Sequence, residues 1–106
     1  MGKRRPAPPV PSTPRTLHGA VVVDELDLHG LTLEQAERRF ESFLRALAVR
    51  EPGRVVRIIT GRGASAGRAP VIQGAVRDGL DGWASEWVAD WSVDAGGGAF
   101  LVRIPG

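Results

Sequence analysis

The pattern that most constrains the fold is an apolar segment, an amphipathic helix and a second apolar segment in immediate succession between residues 21 and 59. Residues 21–28 read VVVDELDL, and the end of this segment alternates leucines with polar residues, as a strand with one buried face does. Residues 54–59 read RVVRII. Four of these six residues are apolar, which leaves little room for a solvent-exposed face and predicts a central strand. Two strands joined by one helix predict a right-handed βαβ unit with parallel strands.

The helix of this unit is predicted to begin at Thr32 and to end before Pro52. Thr32 and Gln35 have the spacing of a capping box, and Pro52 with Gly53 stops the helix. Apolar residues recur between these limits at helical spacing, which predicts a buried stripe. The stripe consists of Leu33, Ala36, Phe40, Phe43, Leu44 and Leu47.

The rest of the chain predicts a second helix and a hairpin. The second helix is expected to begin at Pro70, which suits a first helical position. Strands are expected over about 87–93 and 99–104, joined by a turn at glycines 96–98. The order β-α-β-α-β-β predicts the α/β class, as a two-layer sandwich with a small mixed four-stranded sheet.

Charge divides the chain into an arm and a domain. Residues 1–20 are rich in proline, carry four bases and no acid, and are expected to be a disordered basic arm. Residues 21–106 form the predicted domain, with ten arginines against twelve acids. Five of these arginines fall in residues 52–77, which contain no Asp or Glu. This concentration suits either contact with phosphates or a solvated arginine face.

Several classes of protein and of site are disfavoured by composition. The chain has no cysteine, so disulfides and thiolate-zinc sites are excluded. No apolar run approaches the roughly 20 residues of a membrane span, and the N-terminus lacks the apolar region of a secretory signal. These features predict a cytoplasmic protein with no membrane partner. One of the two histidines lies in the arm, so no metal site and no cofactor is predicted, and Mg²⁺ has no support.

Two polar corners are predicted to meet where the parallel strands end. Asp27 and His29 close the first strand, and residues 60–63, TGRG, follow the second. Open α/β sheets place ligands in such a crevice. His29 can exchange a proton near neutral pH, Arg62 and Arg68 can clamp a phosphate, and the glycines let backbone N–H groups approach an anion.

Each of these features also has a structural interpretation. An Asp-x-His at a strand end often serves a turn, with the histidine bonded to a backbone carbonyl. Glycine loops are common in turns, and TGRG is neither a Walker A loop nor a dinucleotide fingerprint. Trp83, Trp87 and Trp91 recur at helical spacing, which suits a stripe for base stacking. Because Trp87 and Trp91 fall in a predicted strand, core or hairpin packing fits them better.

The segments LDLHGLT, RIITGRG and GGGAFLVRI, in this order, resemble the small MutS-related (Smr) domain over about residues 24–104. The resemblance implies a fold similar to the C-terminal domain of translation initiation factor three. It also implies endonuclease activity on RNA or DNA, and bacterial relatives act on mRNA at stalled ribosomes. The implied catalytic residues are Asp27 and His29. The implied nucleic-acid-binding residues are Thr60, Gly61, Arg62, Gly63 and Arg68.

Thr60 stands where many members of that family carry a histidine, so a mechanism with two histidines at these corners is not available unless His18 folds back. Thr60 also occurs in the family, so the resemblance still implies activity. The leading hypothesis is an endonuclease that cleaves phosphodiester bonds, in RNA more than in DNA, with the ribosome as a further partner. The alternatives are a non-catalytic nucleic-acid or ribosome-binding module and a small-molecule phosphate site.

Overall fold

The computed structural model describes residues 17–61 and 69–106. Four strands and two α-helices follow one another in the predicted order, which confirms the two-layer α/β fold. The elements are β1 (Val22–Asp27), α1 (Leu33–Arg50), β2 (Val55–Ile59), α2 (Ala69–Asp81), β3 (Asp90–Val93) and β4 (Ala99–Arg103). The sheet order is β1-β2-β4-β3, in which only the β1–β2 pair is parallel.

The parallel pair sets the position of the two polar corners. Asp27 is the register partner of Ile59, the last residue of β2. One residue further on, the Leu28 N–H donates to the Ile59 carbonyl at 2.7 Å. Leu28 is completely buried, whereas Asp27 is exposed. The two strand ends therefore lie side by side, and the predicted inward orientation of Leu28 is confirmed.

Helix α1 begins as the capping box predicts. The Gln35 N–H donates to Thr32 Oγ1 and the Thr32 N–H donates to Gln35 Oε1, both at 3.1 Å. The predicted stripe is buried at four of its six positions, Ala36, Phe40, Leu44 and Leu47. Leu33 is 41% exposed, because it lies at the first turn of α1 beside the groove between the two helices.

The sheet face opposite the helices has its own small cluster, in which Leu17 is fully buried against Val55 and Leu101. Residues 17–20, which the sequence assigns to the arm, therefore contact the sheet: Leu17 and His18 are helical, and the Ala20 N–H donates to the Leu17 carbonyl at 3.0 Å. The physical reason is that Leu17 covers the apolar centre of this face. The rest of the predicted arm, residues 1–16, lies outside the described residues.

On the same face an arginine connects three strands. Arg57 of β2 bonds to Glu25 of β1 and, at 2.9 Å, to Asp94 just after β3. These bonds raise the pKa of Arg57. Glu25, Arg57 and Asp94 therefore form a row across this face of the sheet, in which the arginine is paired with both carboxylates.

The strand predicted over 87–93 begins later than expected, at Asp90. Its first predicted residue belongs to a 3₁₀ turn, Ser85–Trp87, in which the Trp87 N–H donates to the Ala84 carbonyl at 3.0 Å. The tryptophans pack separately rather than as one stacking row. Trp83 meets Phe40 edge-on at 5.6 Å between ring centroids, and Trp91 meets Phe100 in the same way at 5.7 Å.

Candidate nucleic-acid site

The end of β1 holds a direct bond between the two side chains that the sequence singled out. His29 Nδ1 lies 2.6 Å from Asp27 Oδ1. The same carboxylate oxygen accepts the His29 backbone N–H at 3.0 Å. Gly30 follows with a φ of 80°, which a residue with a Cβ rarely adopts. The strand end thus turns sharply and holds the imidazole against the carboxylate.

This bond decides which imidazole nitrogen can take up a proton. An ionised carboxylate only accepts hydrogen bonds, so the Nδ1 that faces Asp27 carries the hydrogen. In the neutral ring the other nitrogen, Nε2, is then the acceptor. The His29 side chain is 69% exposed, so Nε2 is open to a ligand from solvent. A carboxylate that fixes one imidazole tautomer is an arrangement suited to proton transfer.

Asp27 is kept ionised by its partner. The side-chain hydrogen bond from His29 lowers the pKa of Asp27 and outweighs the opposing effect of desolvation, and the His29 backbone bond also lowers it. The carboxylate is therefore available over the whole neutral range to hold the Nδ1 hydrogen.

The end of β2 is built differently. Thr60 is completely buried, and its hydroxyl donates to the Gly98 carbonyl at 3.3 Å. The backbone N–H groups of Thr60 and Gly61 donate to the same carbonyl, at 2.9 and 3.0 Å. The predicted ligand contacts from Thr60 and from the Gly61 N–H are therefore replaced by bonds within the protein. Thr60 fixes the loop instead of facing solvent.

A residue that the sequence did not single out also holds this corner. Gln73 of α2 donates from Nε2 to the Gly61 carbonyl at 2.7 Å and to the Gly97 carbonyl at 3.2 Å. It ties the second helix to both glycine turns. A lone glutamine on an amphipathic helix carries no local signal of this role, because the role depends on where two distant loops arrive.

The structure thus brings together Asp27 and His29 with Thr60 and Gly61, through the adjoining ends of β1 and β2. The remaining predicted site residues, Arg62, Gly63 and Arg68, lie outside the described residues.

A basic hollow adjoins the turn after His29. It has a volume of about 430 Å³ and is lined by Leu31 together with residues of α1 that include Arg38 and Arg39. Both arginines are exposed, and neither has an ion-pair partner within residues 17–61 and 69–106. Unpaired arginines at an exposed surface are suited to contact phosphate groups.

Across the part of the chain that the structure describes, no three His, Asp or Glu side chains cluster as metal ligands do. In the same part, neither helix combines the length and the apolar character that crossing a bilayer requires.

The family model of the Smr domain matches residues 26–104, which run from the end of β1 to just past β4. The matched region includes the Asp27–His29 pair, the polar corners at the ends of β1 and β2, and the basic hollow. No curated protein matches the chain.

Proposed function

The chain belongs to the Smr family, and from that premise we propose that it is an endonuclease that cleaves phosphodiester bonds in nucleic acid, in RNA more than in DNA. The observation that carries the proposal is the 2.6 Å bond between Asp27 and His29 at an exposed strand end. Nuclease-type chemistry on nucleic acid is consistent with the family. The assignment of the chemistry to this pair is our proposal.

In the proposed reaction His29 acts as the general base. Its Nε2 takes the proton of a ribose 2′-OH, the 2′ oxygen forms a bond to phosphorus, and the bond from phosphorus to the 5′ oxygen breaks. The proton held on His29 then passes to the leaving 5′ oxygen, so that the ring returns to its neutral form. Asp27 positions the ring and stabilises its charged form.

The preference for RNA follows from having one histidine at the corner. With Thr60 buried in place of a second histidine, one group must both accept and return the proton. An internal 2′-OH nucleophile is already in place on RNA, whereas DNA requires a positioned water molecule. Charge that develops on the phosphate is proposed to be met by Arg62 and Arg68.

Binding of the polynucleotide is proposed to extend along α1. Arg38 and Arg39 lie on the helix that follows the catalytic turn, so a backbone that reaches His29 can continue over them. Phosphate contacts of this kind supply affinity without sequence specificity. A ribosome-bound mRNA is one substrate that this mode of binding would accept.

The test is a cleavage assay on matched RNA and DNA strands with and without EDTA. Wild type is expected to cut RNA faster, and His29→Ala is expected to lose cleavage while still binding. The proposal fails if wild type and His29→Ala cut both strands equally.

A non-catalytic binding module is the second candidate, because Asp27 Oδ1 also accepts the His29 backbone N–H at 3.0 Å, as a purely structural turn would require. It predicts nucleic-acid or ribosome binding that survives His29→Ala, with no cleavage of any labelled strand by wild type. The same assay therefore separates the two candidates.

A further inference from the structure

A second surface lies between α1 and α2, and neither Asp27 nor His29 lines it. It is a groove of about 450 Å³ whose lining includes Leu33 of α1, Val71 of α2 and Trp83, which follows α2. These three side chains are 41%, 52% and 45% exposed. A second hollow of about 350 Å³ continues from it past Trp83. An apolar strip of this kind on an otherwise polar helical layer indicates a binding surface.

The groove is fixed in shape by close packing at one glycine. Trp83 contacts Phe40 edge-on, with an angle of 84° between the rings. A Cβ placed on Gly79 would lie 2.9 Å from Phe40 and 3.1 Å from Trp83. Only a residue without a side chain therefore allows the indole to lie across the helices. A tryptophan held in this way can bind a ligand with little loss of its own conformational freedom.

The rim of the groove is acidic. Glu37 and Asp78 line it, and neither has a hydrogen-bond or ion-pair partner among the residues that the structure describes. In the continuing hollow Glu41 is paired with Arg45, and Arg38 is the one cation of the lining. Unpaired carboxylates around an apolar floor repel nucleic acid and favour a basic ligand with apolar side chains.

The chain itself contains a segment of that chemistry. Residues 5–11 read RPAPPVP, directly after Lys3 and Arg4. Proline-rich sequences favour the polyproline II helix, which docks in aromatic-lined grooves at low entropic cost. The charge of the segment is complementary to Glu37 and Asp78. We propose that this groove binds residues 5–11 of a second copy of the chain.

The choice of a second copy follows from the reach of the chain. Leu17 packs on the two central strands, at the sheet face opposite the helices. The six residues from 11 to 17 span about 20 Å when fully extended. The direct line from that face through the sheet and the helical layer is already about 20 Å, and a path round the edge is longer. Reciprocal exchange between two copies closes a dimer.

Sedimentation velocity of the full chain over a range of concentrations measures its association and tests the proposal. The variants first reverse the charge on one side of the contact and then restore complementarity by reversing both sides. Wild type is expected to associate reversibly. Glu37→Lys with Asp78→Lys, or Arg4→Glu with Arg5→Glu, is expected to weaken association roughly tenfold. A chain that carries all four substitutions is expected to recover it. The matched control reverses two exposed acids outside the groove, Glu34→Lys with Glu86→Lys, and should associate like wild type.

An NMR measurement identifies the surface directly. Unlabelled wild type added to ¹⁵N-labelled full chain should shift the Trp83 indole N–H and the Gly74 amide. Unlabelled Arg4→Glu with Arg5→Glu should not. The proposal is overturned if the chain stays monomeric at all concentrations, if charge reversal leaves association unchanged, if the fourfold variant does not recover, or if the shifts map elsewhere.

Discussion

The ends of β1 and β2 lie side by side, yet the first carries an exposed carboxylate bonded to an imidazole and the second carries a buried hydroxyl with a constrained glycine. Asp27 and His29 bond mainly to each other. Thr60 and Gly61 direct three donors at the carbonyl of Gly98 and receive a fourth bond from Gln73. The first corner therefore presents its side chains to solvent, and the second fixes the position of the backbone beside them.

This difference implies that activity and stability are separable between neighbouring residues. Exposed side chains contribute little to the free energy of unfolding, since water replaces their bonds. Water cannot replace a hydrogen bond lost by a buried donor, and it cannot relieve the strain of a Cβ in left-handed backbone. Substitutions at the β1 corner should then change cleavage at constant stability, and substitutions at the β2 corner should do the reverse.

The largest expected effect is the loss of cleavage activity in the His29→Ala variant. Loss of a general base slows a reaction by roughly 10²–10⁴-fold, so the cleavage rate on RNA should fall by about that factor. The free energy of unfolding should change by less than ~0.5 kcal/mol, because His29 is exposed. His18→Ala is the matched control, since His18 bonds to the Val93 carbonyl. A destabilised His29→Ala would show that this corner is structural.

Gly61→Ala is expected to show the opposite pattern. Gly61 has a φ of 91°, and a residue with a Cβ in left-handed backbone costs about 1–2 kcal/mol. Urea unfolding should show that the free energy of unfolding falls by that amount, while the cleavage rate of the folded fraction should change much less. Gly74→Ala is the control: no atom lies within 4 Å of a Cβ placed there, and an added methyl in helix α2 should stabilise slightly. Equal losses in both variants would contradict the proposed role of Gly61.

Thr60→Val tests the buried hydroxyl with almost no change in shape. Removal of a hydrogen bond to the Gly98 carbonyl should reduce the free energy of unfolding by about 1 kcal/mol. Cleavage should persist, since the hydroxyl has no surface for a ligand to reach. Ser42→Ala removes an exposed hydroxyl from α1 and should have no measurable effect on stability. A large loss of cleavage in Thr60→Val would make this corner part of the reaction.

The sequence predicted the β1 corner better than the β2 corner, and the reason is physical. Alternation of Leu26 and Leu28 with polar residues, followed by a capping box, is a local signal, and the structure has both. The inward turn of Thr60 depends on Gly98, which lies 38 residues away along the chain. Leu17 was likewise assigned to the arm by its proline-rich surroundings, because its burial depends on Val55 and Leu101. Contacts between distant segments leave no periodic pattern.

The smallest expected effect is the pH dependence of stability from Asp27. Its hydrogen bonds from His29 lower its pKa in the folded state, so the ionised carboxylate stabilises the fold above about pH 4, near the ordinary pKa of the group. This contribution is lost as the pH falls through the lowered pKa. Because both side chains are more than half exposed, at 69% and 51%, it should stay below about 1 kcal/mol. Urea unfolding of wild type and Asp27→Asn should therefore show a small gap at pH 7 that narrows at pH 3. A gap that widens in acid would mean that the Asp27–His29 bond does not favour the ionised carboxylate.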